Sequence, residues 1–216
     1  MLKIYEMLHS PYCIPITMIL KAAGQEYESI EVPNWDRSPV VELTKGEYYQ
    51  VPVLVHDERI IFEENDSSLV LARYVNELFA AADLFPDHIA GIHEILIAHI
   101  EDELEGLGFR LCDIHYLEAI ENLVHRTAVI RHKERRFGLG CVDEWRRNAA
   151  ALRQQLMRGL NQFQGPLTAQ PYLFGDKPVY ADYALAGVIS NYTHPDANQL
   201  DPDQDWLRAW LERLKS

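Results

Sequence analysis

The segment "HSPYCIPITMILKAAG", residues 9–24, sets a hydroxyl and a thiol three residues apart, Ser10 and Cys13, where an apolar strand hands over to an amphipathic helix. Pro11 and Pro15 are tolerated in the first turn, because the N–H groups they lack have no intrahelical partner there. The free N–H groups and the positive end of the helix then face whatever sits above Ser10. A hydroxyl donor and the dipole both favour a thiolate in that place, by about 1.4 kcal/mol for each unit of pKa lowering. Two readings follow. Either Cys13 is the nucleophile, or the thiol arrives with a ligand.

Two other positions could bind such a ligand. In "QVPVLV" a proline opens a strand and cannot donate to its ladder. A trans Val51-Pro52 bond is one reading; a cis bond that turns the Val51 backbone toward a ligand is the other. In "DSSLVLARY" a carboxylate and hydroxyls start a helix. They can cap its N–H groups, and the same helix start can hold a carboxylate while Asp66 holds an ammonium, which suits an α-amino acid zwitterion.

The elements that must position these groups fall into two sets. Residues 1–81 read as strand, helix, strand, loop, strand, strand, helix. The strand-helix-strand part needs a parallel pairing, and "VPVLV" with "RIIF" reads as a hairpin, so the sheet is mixed. A linker surrounds Pro86. Residues 87–216 read as helical, over 88–107, 116–137, 142–163, 182–192 and 206–214. The fold class is therefore α/β plus all-α.

Composition narrows the function. The 216 residues are 48% hydrophobic with net charge −13, which opposes binding to nucleic acid or anionic membranes. No apolar run is long enough to span a bilayer. Three scattered cysteines, Cys13, Cys112 and Cys141, suit free thiols in a reducing cytoplasm. The histidine pairs His88/His99 and His125/His132 are spaced too widely on their helices to share a metal. Tyr5, mid-strand, reads as core.

In this order and spacing, "SPYCIPITMILKAAG", "VPVLV" and "PYLFGDKPVYADYALAG" resemble the soluble glutathione transferases, over essentially the whole chain. The resemblance is to a bacterial-like, serine-type member. It implies a thioredoxin-like first domain, a helical bundle as the second, glutathione as co-substrate and no metal. It also implies a homodimer. Ser10 would donate to the glutathione sulfur, and Val51, with Pro52 cis, would pair with its cysteinyl part. Asp66 and Ser67 would hold the γ-glutamyl end, and Gln50 would reach the glycyl carboxylate. An apolar electrophile would lie among Tyr12, Cys13, His99, Phe109 and Arg131.

The chain departs from the family pattern in places. "ENDSSL" leaves the acid-serine register open between Asp66-Ser67, which keeps a carboxylate, and Ser67-Ser68, which keeps Tyr74 in place. Val179 stands where a hydroxyl cap is usual, so Asp182 lacks a reciprocal partner. The basic run 126–136 reads as a solvated helix facing "EDELEG", or as one that sends an arginine into the cleft. Two alternatives to conjugation stand: thiol transfer through Cys13, and a scaffold that binds without turnover.

Overall fold

The computed structural model describes residues 1–64, 68–80 and 83–215. Four strands form one mixed sheet: β1 (Leu2–Glu6), β2 (Glu28–Glu31), β3 (Val53–His56) and β4 (Arg59–Ile61), in the spatial order β2-β1-β3-β4. β1 pairs parallel with β2 and antiparallel with β3, and β4 closes the hairpin. The connection from β1 to its parallel neighbour runs through α1 (Cys13–Ala22), as a parallel pair requires. Alternation along β1 buries Leu2, Ile4 and Glu6. Glu6 is tolerated inside because the Ser29 hydroxyl donates to its carboxylate at 2.5 Å. The Val51-Pro52 peptide bond is cis.

Two helices complete this thioredoxin-like unit, α2 (Ser38–Leu43) and α3 (Leu69–Phe79). The sequence reading makes residues 33–50 a loop, so α2 is a correction. Its start is marked by Asp36, whose carboxylate accepts from the Ser38 N–H at 2.9 Å, and by Pro39 in the first turn.

From residue 87 onward the elements are helical. They are α4 (Ala90–His99), a π-helical segment (Ile100–Glu105), α5 (Gly106–Ala119), α6 (Leu123–Phe137), α7 (Cys141–Asn161), α8 (Gln164–Ala169), α9 (Tyr180–Tyr192) and α10 (Asp205–Lys215). Two boundaries differ from expectation. Helix continues through Leu107 to Ala119, and a break at 120–122 precedes α6. Asn122 makes that break by accepting from the N–H groups of Val124 and His125 at 2.9 and 3.2 Å. Among the described residues no helix is long and apolar enough to cross a membrane.

The two units share a core. Ile4, Ile16 and Leu54 from the sheet side belong to the same cluster as Ile100, Leu160 and Leu185 from the helical side. The other sheet face buries Cys13 with Val32, Val40, Val51 and Val53. Helix α9 is the hinge pin of this arrangement, buried at every position except Ser190. Its start has no hydroxyl cap. Asp182 instead accepts from the N–H groups of Val179 and Leu173, both at 3.0 Å, and His93 Nε2 accepts from that of Ala181 at 3.0 Å.

Along α9, Gly187 faces the first turn of α1. A Cβ there would stand 2.4 Å from the Pro11 carbonyl oxygen and 2.8 Å from Pro15 Cγ. Neither neighbour is a flexible side-chain end, so the helices must part if a methyl is added. Gly187→Ala is expected to cost about 1–3 kcal/mol, read as a lowered denaturant midpoint at unchanged slope. An unchanged midpoint refutes the close approach.

Candidate active site

Ser10 occupies the seam between the two units and is 4% exposed. Its carbonyl accepts from the N–H groups of Cys13 and Ile14, each at 3.1 Å, so the helix effectively starts here. Its Oγ accepts from the Tyr12 and Cys13 N–H groups, each at 3.3 Å. Two backbone donors thus engage the oxygen, and the hydroxyl hydrogen is left to donate. It can swing between the Cys13 sulfur beneath it and the cleft above.

That cleft measures about 360 Å³ and lies between the α/β unit and the helices. Ser10, Tyr12, Gln50 and Val51 line it from the first unit, and Glu105 and Phe109 from the second. A neighbouring recess of about 380 Å³ shares Tyr12, Gln50 and Val51 and adds Pro52, Glu63 and Ser68. The Tyr48 hydroxyl donates to Glu63 at 2.7 Å, and that of Ser68 donates to Glu101 at 2.6 Å. At the other end stands Arg37, whose Nη2 donates to Asn34 Oδ1 at 2.8 Å. Its Nη1 is buried without a hydrogen-bond partner among the described residues. The long cleft therefore offers a carboxylate and a hydroxyl at one end, a hydroxyl donor in the middle and a guanidinium at the other.

The glutathione S-transferase N-terminal domain matches residues 4–82, and the C-terminal domain of the same family matches residues 119–216. This chain belongs to the glutathione S-transferase family. A probable glutathione S-transferase of Solanum tuberosum is 29% identical over 84 residues, 39% of this chain and 37% of that protein. Glutathione S-transferase U1 of Arabidopsis thaliana is 28% identical over 103 residues, 47% and 44% of the two chains. This chain thus aligns with less than half the length of either relative. Among solved structures, glutaredoxin 2 of Salmonella typhimurium in complex with glutathione superposes with a TM-score of 0.73 at 18% identity, covering 100% of this chain and 95% of that one. Glutathione transferase F7 of Populus trichocarpa superposes at 0.69 and 17% identity, covering 100% and 94%. At such identity these two show the fold.

Several expected residues of this family member lie elsewhere. Cys13 is fully buried among valines. Burial pushes its thiol up to about 12 against smaller opposing effects of Ser10 and the Met7 backbone, which favours the neutral form, and it does not line the cleft. His99 packs against Phe163, ring centroids 6.5 Å apart, away from the cleft. Arg131 is exposed and pairs with Glu134 on the outer face of α6. Asp66 and Ser67 lie outside the described residues. Among those described, no group of three or more His, Cys, Asp or Glu could hold a metal ion.

The basic helix does send cations inward, but they are Lys133 and Arg136. Lys133 pairs with buried Asp113 at 2.5 Å. A sequence signal for this existed: Val129 is the buried apolar position of α6, and residues four and seven later share its face. The cleft is consequently charged on its helical side, against the expectation of an apolar electrophile site, with Phe109 and Phe137 as its apolar portion.

His9, beside Ser10, packs on Tyr116 with ring centroids 4.3 Å apart and the planes tilted by 33°, and its carbonyl accepts from Asn191 at 2.6 Å. Burial holds its imidazole down at about 4. Between about 4 and the ordinary value of 6.5 the unfolded chain binds the extra proton, so this group's contribution is lost as pH falls below 6.5. Glu105, raised to about 7 by burial, has the opposite sign, so the test is a difference. His9→Phe keeps a ring and removes the titration. From pH 7 to 5 it should lose less stability than the parent, by about 2 kcal/mol, in denaturant titrations at the two pH values. Equal losses overturn the assignment.

Proposed function

We propose that this chain transfers glutathione to an electrophilic small molecule, with Ser10 donating to the glutathione sulfur so that the thiol ionises in the cleft. One observation carries the reading. A buried serine hydroxyl, its oxygen engaged by two backbone N–H groups, lines the cleft at the start of a helix. An anion there gains both the O–H donor and the helix dipole.

The tripeptide fits the cleft's charge order. Its γ-glutamyl end goes to the recess with Glu63 and Ser68, next to which Asp66 and Ser67 stand in sequence. The cysteinyl backbone runs along Val51 and Pro52. The glycyl carboxylate lies past Gln50 toward Arg37, whose unpartnered Nη1 suits an anion. Rate enhancement comes from thiolate formation and from holding both reactants in one cleft. A reading through Cys13 has its burial against it, and a scaffold without turnover leaves the Ser10 geometry unexplained. Three free cysteines suit a cytoplasmic protein.

A homodimer belongs to the same proposal. Ile60 on β4, Leu78 on α3, and Ile92 and Ile95 on α4 are exposed at 39%, 50%, 57% and 66%, apolar side chains that a second copy would cover.

Two experiments test these statements. Ser10→Ala should lower kcat/KM toward chlorodinitrobenzene about 10- to 100-fold, the weight of a hydrogen bond to a charged group. The ultraviolet absorbance of enzyme-bound thiolate should appear at higher pH by one to two units, roughly. Full activity in that variant refutes the role of Ser10. Ile95→Glu should sediment as a monomer where the parent sediments as a dimer; a monomeric parent refutes the dimer.

A further inference from the structure

We propose that Asn191 of α9 is a positioning residue for the thiol chemistry at Ser10: by holding the His9 carbonyl it fixes the peptide ahead of Ser10 and so sets where the Ser10 hydroxyl points. The inference rests on the transferase reading above and deepens it by naming a group in the helical unit that tunes the site.

The hydroxyl itself is loosely held. Its Oγ accepts from the Tyr12 and Cys13 N–H groups at 3.3 Å each, longer than the roughly 2.9 Å usual for such a bond. The aim of the O–H therefore depends on the backbone that carries it, which is two peptide groups. The one after Ser10 is fixed by the helix start, where the Ser10 carbonyl accepts from the Cys13 and Ile14 N–H groups at 3.1 Å. The one before joins His9 to Ser10 and is held at both ends. Its N–H donates to the Met7 carbonyl at 2.9 Å, and its carbonyl accepts from Asn191 Nδ2 at 2.6 Å. Asn191 makes the shortest bond of this set. The others lie within residues 7–14, whereas this one comes from the second unit.

Packing alone does not account for an asparagine here. The side chain is 2% exposed, on a helix whose other buried residues are mostly apolar. Its amide turns Nδ2 toward the His9 carbonyl because only that end can donate. Oδ1 is then buried with no partner among the described residues, a cost that a leucine of nearly the same size would not carry. What the amide supplies, and leucine cannot, is the bond to His9.

The surroundings of that bond are anchored without it. The His9 ring packs against Tyr116 of α5 and against His194 just past α9, with centroids at 4.3 and 5.2 Å. Gly187, one turn before Asn191, brings α9 against the Pro11 carbonyl. Loss of the amide therefore leaves the two units packed and releases one peptide group, which carries Ser10 Oγ with it as it rotates. Displacing a positioned group by about 1 Å costs on the order of 100-fold in rate at most, and a hydroxyl that still donates from a poorer angle loses part of that.

The test reads the thiol directly, on the full chain with glutathione. Asn191→Leu exchanges one neutral side chain for another, so the charged groups of the cleft, Arg37, Glu105, Asp113, Lys133 and Arg136, are kept. The absorbance of the bound thiolate should appear at higher pH by about one unit. Toward chlorodinitrobenzene, kcat/KM should fall about 10-fold at neutral pH and approach the parent's value in alkali, where the thiol ionises unaided. KM for glutathione should change little. In a Ser10→Ala background the same substitution should shift the thiolate no further, because Asn191 acts through that hydroxyl. An unmoved thiolate, an equal loss of rate at every pH, or an additive shift in the double variant overturns the role of Asn191 and leaves the transferase reading standing. Should Asn191→Leu fail to fold, Asn191→Ala, which adds no bulk, gives the same readings. A parent whose bound glutathione ionises at the same pH as free glutathione removes the role of Ser10, and this inference with it.

Discussion

The contact on which the rest of the molecule depends is the one between α9 and the chain at His9–Pro15. Gly187 lets α9 come against the Pro11 carbonyl, and Asn191 donates to the His9 carbonyl at 2.6 Å. Ser10 lies between these two anchored residues. The position of a hydroxyl that belongs to the first domain is thus set by a helix of the second. Helix α9 can serve this way because its own start is fixed by groups as rigid as itself: a buried carboxylate that takes backbone N–H groups, and a neutral imidazole that takes another. Removing one such partner would strand buried donors, each worth about 1–3 kcal/mol.

Electrostatics in the cleft follow from burial more than from net charge. The chain carries −13 overall, yet the walls hold cations and acids together, and desolvation is the leading influence on His9, Cys13 and Glu105 alike. In each case the neutral form is favoured. An anion in this setting survives only where a donor is already aimed at it. The Ser10 hydroxyl and the unpartnered Nη1 of Arg37 are the donors that the proposed function uses in this way.

Much of this was legible in the sequence, and the reasons it was not elsewhere are physical. The mixed sheet and the change to helices could be read because period-two and longer apolar patterns alternate early and then stop. The short α2 was missed because six residues carry too few apolar repeats to show a period, although Asp36 and Pro39 marked its start. The extension of helix to Ala119 was missed because a π-helical segment shifts the phase of the pattern part-way along. At the cleft, the family resemblance pointed to Ser10, Val51 and Pro52, and these line the cleft and its neighbouring recess. Cys13, His99 and Arg131 were misplaced because their direction depends on which helix face meets the cleft. Lys133, Arg136 and Arg37 went unassigned for the same reason, though Val129 gave the phase of α6. Glu105 had no local signal at all, since Leu104 beside it is seated by Gly159, from a helix far along the chain.

Ser10 and Cys13 explain why the proposed nucleophile is one that a ligand brings. Both sit in the first turn of one helix, where the dipole and free N–H groups favour an anion. Cys13, three residues further on, packs in the cluster of Val32, Val40, Val51 and Val53, and burial there outweighs the opposing hydrogen bonds of Ser10 and the Met7 backbone, which pushes its thiol up to about 12. Ser10 is too weak an acid to become the anion itself, but its hydroxyl is placed where an arriving sulfur can use it. On the proposed reading, a thiol that comes with a ligand frees the protein from keeping a reactive group at its own surface. The charge would then form only where binding has already supplied the donor.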